Sequence, residues 1–147
     1  MAKIKVEELN LKDIKEYAKN PRKNHKAIGA VLESIKKFGY TNPIIINKDN
    51  VILAGHTRLE ALRKNGAMKA EVIRLTHLTE DQEKAFRIAD NRVADFAKWD
   101  ENLLGIEMRE IKAEDWKRFG FDERQIIKYA APEMCKCPKC GKEFVKV

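Results

Sequence analysis

The sequence predicts an α+β fold in which short strands and helices alternate over residues 1–75. A helical extension follows over 76–131, and a cysteine-bearing tail over 132–147. Three observations lead there. Residues 41–66, TNPIIINKDNVILAGHTRLEALRKNG, read as strand, turn, strand, glycine corner and helix. Residues 25–38 place Ala27, Ile28, Val31, Leu32, Ile35 and Phe38 at the i, i+3, i+4, i+7 spacing of an amphipathic helix, and Gly39 closes it. From 79 onward the pattern is helical, broken by Trp99, Trp116, Phe119 and Phe121.

Each piece of the central stretch has a local cause. Ile44, Ile45 and Ile46 are β-branched and follow a proline suited to the first residue of a strand. Residues 47–50 carry turn chemistry, and 51–54 form a second apolar run. Gly55 supplies a backbone angle that other residues avoid where strand gives way to helix. Thr57 and Glu60 have the spacing of a capping box, Leu59 and Leu62 are its apolar anchors, and Gly66 is placed to stop the helix. Free N–H groups at a helix start, a glycine for close approach and a cation at Arg58 suit a phosphate, with His56 and Thr57 as further donors.

Elsewhere, Ile4 and Val6 alternate with lysines, predicting a first strand with those residues inward. A short turn or helical piece over 10–17 should bury Leu9, Leu11 and Ile14. Residues 70–75 predict a third strand with Val72 and Leu75 in the core. Thr79 and Gln82 predict a capping box opening a helix to about Arg92. A helix over 100–112 should share Leu104, Met108 and Ile111 on one face, and Asp122 should cap a last helix to about Ala130, with Pro132 ending it. The four aromatics at the breaks read as packing groups rather than base-stacking platforms.

Of 147 residues, 44% are hydrophobic and 36% charged, the balance of a soluble chain able to bury a core. No apolar run reaches membrane-spanning length and the N-terminus has no signal-peptide core, so a cytoplasmic protein without membrane contact is expected. The net charge of +7 is uneven. Residues 1–75 hold 16 Lys/Arg against 8 Asp/Glu, residues 76–131 hold 10 against 13, and residues 132–147 hold 4 against 2. The positive field therefore surrounds the glycine corner, where nucleotides, DNA or RNA are natural partners. Residues 76–131 show no helix-turn-helix pattern, and their acidity does not suit reading a groove. The three cysteines lie within six residues, which is no disulfide framework and fits a reducing compartment.

Taken in order, Asn20-Pro21-Arg22, Ser34-Ile35 with Gly39, Asn42-Pro43-Ile44, and Gly55-His56-Thr57-Arg58-Leu59-Glu60-Ala61 resemble the four boxes of the N-terminal domain of the ParB/sulfiredoxin superfamily. The likeness covers residues 3–75 and implies a small mixed sheet with helices. Residues 78–104 with GFDERQI (120–126) resemble the segment that follows such a domain in phage and mobile-element proteins. A DNA methyltransferase domain often comes next there. This chain stops instead, so methyl transfer is not expected of it.

What the resemblance implies is nucleotide binding, CTP or ATP, with Mg²⁺ as a candidate companion. Gly55, His56, Thr57 and Arg58 would form the phosphate floor and Arg22 of the Asn20-Pro21-Arg22 box the clamp. Asn42 would contact base or sugar. DNA is the implied partner, a homodimer is within the family's habits, and the expected role is regulatory or accessory. Partition ParB proteins usually carry glutamate, tied to metal binding and CTP hydrolysis, where this chain has His56. Sulfiredoxins carry a catalytic cysteine there, so sulfinic-acid repair is not expected. His56 is a candidate general acid or base, or one more phosphate donor.

Two rival readings follow. In one the chain is a DNA endonuclease or nucleotide-dependent phosphotransferase, pairing His56 with Glu60 or Asp49. In the other its helical half binds a separately encoded methyltransferase. The tail, Cys135-Lys136-Cys137-Pro138-Lys139-Cys140-Gly141-Lys142, resembles one knuckle of a zinc ribbon. Cys135, Cys137 and Cys140 are candidate ligands, and a fourth would come from another subunit or from a histidine.

Overall fold

Ile44, Ile46 and Val72 are wholly buried and mark where two central strands lie side by side. The computed structural model describes residues 5–22, 25–111, 115–130 and 134–145. The chain divides into two units, Met1–Ala97 and Lys98–Val147. The first runs β1 (Val6–Asn10), a 3-10 turn (Leu11–Asp13), α1 (Ala27–Phe38), β2 (Ile44–Asn47), β3 (Ile52–Ala54), α2 (His56–Lys64), β4 (Lys69–Leu75) and α3 (Glu80–Ala94). Its sheet has the order β1-β4-β2-β3 and is mixed, as the resemblance implies. β4 is antiparallel to β1 and parallel to β2, and β2 is antiparallel to β3. Parallel partners need a crossover, and β3 with α2 supplies it.

The core gathers Leu11, Ile14, Ile44, Ile46, Ile52, Leu59, Leu62, Ala70 and Val72. Apolar residues of β2 and β4 meet those of α2, and α1 packs against α2. Leu11 and Ile14 enter as their spacing suggests. Val6 does not, being 49% exposed. Register explains this. Glu7 lies opposite Val72 and Leu9 opposite Ala70, and directly opposed residues share a face. Odd-numbered residues of β1 therefore face the core, and Leu9 packs there. Ile4 lies outside the described residues.

Polar side chains fix the corners. The Asn47 Oδ1 accepts from the N–H groups of Asp49 and Val51, both at 2.9 Å, closing the β2–β3 turn. Arg74 Nη1 donates across the same turn to the carbonyls of Asn47 and Lys48 and to Asn50 Oδ1. The Tyr40 hydroxyl accepts from Ile44 N–H at 2.7 Å and donates to the Glu71 carbonyl at 2.9 Å, pinning the start of β2 to β4. Gly66 (φ +75) ends α2 in a Schellman motif: its N–H donates to the Arg63 carbonyl, and that of Ala67 to the Leu62 carbonyl.

The second unit has α4 (Glu101–Glu110), a 3-10 turn (Trp116–Phe119), α5 (Glu123–Ala130) and a hairpin of β5 (Met134–Lys136) and β6 (Glu143–Val145). Asp100 caps α4 through the N–H groups of Asn102 and Leu103. Asp122 and Gln125 form a reciprocal box at α5. Trp116 lies 6.1 Å from Phe121 and 6.3 Å from Phe119, and Trp99 lies 6.5 Å from Phe121, centroid to centroid. The four aromatics do pack on one another, though Trp99 stays 69% exposed. Met108 is buried as its spacing suggests, but Ile111 turns extended past the helix end and is 44% exposed. Pro132 lies outside the described residues.

Candidate functional site

At the corner between β3 and α2, Gly55 takes φ +109, ψ +23, a left-handed conformation that costs residues with a Cβ. Space is as tight as the angle. A Cβ on Gly55 would lie 3.1 Å from both Nε and Nη2 of Arg58. The guanidinium thus lies over the glycine, while Nη1 donates to the carbonyls of Asn42 (2.8 Å) and Pro43 (2.6 Å). Gly55 is itself the helix N-cap, without a side-chain cap, so the expected capping box of Thr57 and Glu60 is not formed. The helix begins two residues earlier than that box requires, which places Thr57 inside the first turn. Glu60 instead accepts from Arg63. The first helical bond is donated by Leu59 N–H to the Gly55 carbonyl, so the amides of His56, Thr57 and Arg58 precede the helical ladder.

His56 is held from the opposite side. The Tyr17 backbone N–H donates to its Nε2 at 3.2 Å, which leaves the neutral ring with its proton on Nδ1. Burial pushes the imidazole below its ordinary value of 6.5; Glu16 pulls it back up and Arg87 adds to the depression. An Nε2 that accepts a backbone hydrogen bond is not available to donate to a phosphate, so any such role falls to Nδ1 or to the main chain.

The Asn20-Pro21-Arg22 loop is tied to α3. Asn20 Oδ1 accepts from Arg22 N–H, and Arg22 Nη1 donates to Asn91 Oδ1 (2.8 Å) and to the Asn91 carbonyl (3.3 Å). Its other terminal nitrogen is 3.7 Å from the Asp95 carboxylate. Below this junction α3 is anchored by an interior pair. Glu83 and Arg87, 8% and 6% exposed, lie 3.4 Å apart. Asn47 Nδ2 donates to Glu83, Arg87 Nε donates to the Ile52 carbonyl, and the guanidinium stacks over Tyr17 at 4.0 Å.

Together these elements line one cavity of about 450 Å³. Asn20, Arg22, Asn42, Gly55, His56, Thr57 and Arg58 all lie on its wall. So do Arg87, Asp90 and Asn91 of α3, which the sequence reading did not single out. The only signal for them was the helical spacing of Glu83 and Arg87, and it reads equally well as a solvated pair. Val31 and Ile35 of α1 and Leu53 of β3 give the cavity an apolar side. Asp49, proposed beside His56, lines a separate cleft with Thr79 and Lys84.

The side chain of Cys135 lies outside the described residues, so of the three candidate metal ligands only Cys137 and Cys140 can be placed. Cys135 lies in β5, and Cys137 and Cys140 are free thiols at the following turn. Among the described residues no group of three or more His, Cys, Asp or Glu side chains is placed to hold a metal ion. The amides of Lys139 and Cys140, then the Cys140 thiol, hold the Cys137 thiol below its ordinary range. No helix among the described residues is long and apolar enough to cross a membrane.

Residues 1–92 match the model of the ParB N-terminal domain. The chain is 35% identical over 83 residues to the ParB-like nuclease domain-containing protein YnaK of Escherichia coli K12, covering 56% of this chain and 95% of that protein. Its fold resembles the C-terminally truncated chromosome-partitioning protein ParB of Caulobacter crescentus in complex with CTP-γ-S. The TM-score there is 0.63 at 15% identity, over 86% of this chain and 71% of that one. A Pnob8-like ParB N-domain gives 0.52 at 15% identity, over 97% and 57% of the two chains. The chain belongs to the ParB N-terminal domain family.

Proposed function

We propose that the first unit binds a nucleoside phosphate, CTP or ATP, in the cavity between α1, α2 and α3, with the phosphates at the start of α2. The observation that carries this is the convergence of early helical amides and three arginines, Arg22, Arg58 and Arg87, on one cavity. Its volume of about 450 Å³ falls within the usual range for small-ligand sites, roughly 300–1,000 Å³. In this reading Arg58, already oriented by the carbonyls of Asn42 and Pro43, faces the phosphates, and Arg22 closes over them from the loop. Asn20 and Asn42 contact base or sugar, beside the apolar surface of Val31 and Ile35. Asp90 brings a carboxylate to the same cavity, where Mg²⁺ accompanying the phosphates would find a ligand. His56 holds Tyr17 in place rather than moving a proton. The structural relative in complex with CTP-γ-S is consistent with this. DNA is the expected second partner, met by the +8 balance of residues 1–75 through salt-dependent phosphate contacts.

The test is calorimetric titration with CTP, ATP, ADP and GTP, with and without Mg²⁺ and DNA, alongside Arg58→Ala. Saturable binding that the substitution weakens is expected, and no binding by a folded sample would overturn the reading. The name of the E. coli relative favours a second reading, a nuclease. Metal-dependent strand cleavage by the purified chain would favour it over a binding role.

A further inference from the structure

Tyr40 lines the cavity between α1, α2 and α3, yet its hydroxyl is committed to the sheet. It accepts from Ile44 N–H at 2.7 Å and donates to the Glu71 carbonyl at 2.9 Å, where the pairing of β2 with β4 begins at Ile44 and Val72. Burial pushes the phenol above its ordinary value of 10.0, so it keeps the proton it donates. The hydroxyl thus ties the end of the 40–44 loop to β4.

The two residues just before Ile44 carry the carbonyls that hold Arg58. Asn42 and Pro43 both accept from Nη1, at 2.8 and 2.6 Å, so both hydrogens of that nitrogen are used. Nε and Nη2, the pair that lies against Gly55, form the edge left for an anion. Two parallel N–H groups on one guanidinium edge match two oxygens of one phosphate. Such a fork binds best when it is already aimed, because a long side chain otherwise loses rotamer freedom on binding. Its aim depends on where the carbonyls of residues 42 and 43 stand, and Tyr40 fixes the residue that follows them. On the footing of the phosphate site proposed above, we infer that Tyr40 is a positioning residue: its hydroxyl sets those two carbonyls, and they preset the Arg58 fork. A tyrosine that only stabilised the sheet would matter for unfolding and not for the arginine.

Tyr40→Phe removes the hydroxyl and keeps the ring, and two readouts separate aim from stability. In NMR of the unliganded full chain, wild-type Arg58 should show its Nη hydrogens as separate, slowly exchanging signals. In Tyr40→Phe these should merge into an average while the amide spectrum stays that of a folded chain. In calorimetry the dissociation constants of CTP and of inorganic pyrophosphate should rise together, about 2- to 12-fold. Added to Arg58→Ala, the same substitution should change them by less than about twofold, since no fork remains to aim. Averaged Arg58 signals in the wild type, separate signals kept in Tyr40→Phe, or an equal loss of affinity with and without Arg58 would each overturn the proposal. The NMR arm needs no ligand, and its wild-type part needs no variant. It therefore tests the preset arginine even where no nucleotide binds and the phosphate reading itself falls.

Discussion

The starts of α2 and α3 solve the same physical problem in opposite ways. Both helices begin with amide groups that lack carbonyl partners in the helix and with the positive end of a dipole. At α3 the chain satisfies them itself. Thr79 accepts from Gln82 N–H, Gln82 returns a bond to Thr79 N–H, and Glu80, Asp81 and Glu83 supply negative charge in the first turn. At α2 it supplies nothing of the kind. The N-cap is a glycine without a side-chain cap, the first turn contains no acid, and Arg58 adds positive charge beside the amides. The difference teaches where an external anion belongs, because a start completed by its own chain has no need of one.

Perturbations that break this contrast fall in a clear order. The largest effect is expected at the anchor of α3. Glu83→Ala leaves Arg87 buried without its carboxylate and should cost about 3–5 kcal/mol of stability, read by urea unfolding. Because α3 forms one wall of the cavity, nucleotide affinity should fall with it. Next comes Arg58→Ala. Hydrogen bonds to a charged group contribute about 1.5–3 kcal/mol each, so the dissociation constant should rise roughly 10- to 150-fold by calorimetry. Gly55→Ala combines the left-handed φ with a Cβ pressed on the Arg58 guanidinium and should lower stability by about 1–2 kcal/mol. It should weaken binding as well, since the guanidinium must move. Thr79→Ala removes the cap of α3 and should cost about 1 kcal/mol of stability while leaving nucleotide affinity unchanged. That last pairing sharpens the contrast, since one helix start would matter for stability alone and the other for binding.

The smallest expected effect concerns pH. Burial holds folded His56 below 6.5, so the unfolded chain binds the proton more readily. Well above 6.5 both states are neutral and nothing changes. As pH falls below 6.5 and approaches the folded value, stability should decline, because the unfolded state then carries more protons. His56→Ala should flatten the slope in that window, and an unchanged slope would assign it to other groups.

How much of this was legible depends on whether the cause was local. The Gly55 corner, the closure at Gly66, the Thr79 box and the Asp122 cap are decided within a few residues, and the sequence carries them. The face of β1 was not legible, because Val6 and Leu9 are sorted by their register with β4, some sixty residues away in the chain. The expected Thr57–Glu60 box failed although its spacing was right. Gly55 starts the helix too early for it, and an angle at one residue outweighs a spacing pattern. The cavity was half legible. The α2 corner and the Asn20-Pro21-Arg22 loop were read directly, whereas Arg87, Asp90 and Asn91 reach the wall only because α3 packs against β3. Nothing in their local sequence says so.

One measurement tests the central claim most directly. In backbone amide NMR of the full chain, CTP or ATP is added while the signals of His56, Thr57 and Arg58 are compared with those of Glu80, Asp81 and Gln82. The α2 amides are expected to shift and gain exchange protection on saturation, with the α3 amides nearly still and the response absent in Arg58→Ala. Nucleotide binding that leaves the α2 amides unmoved, or a native response in Arg58→Ala, would contradict a phosphate site at this helix start.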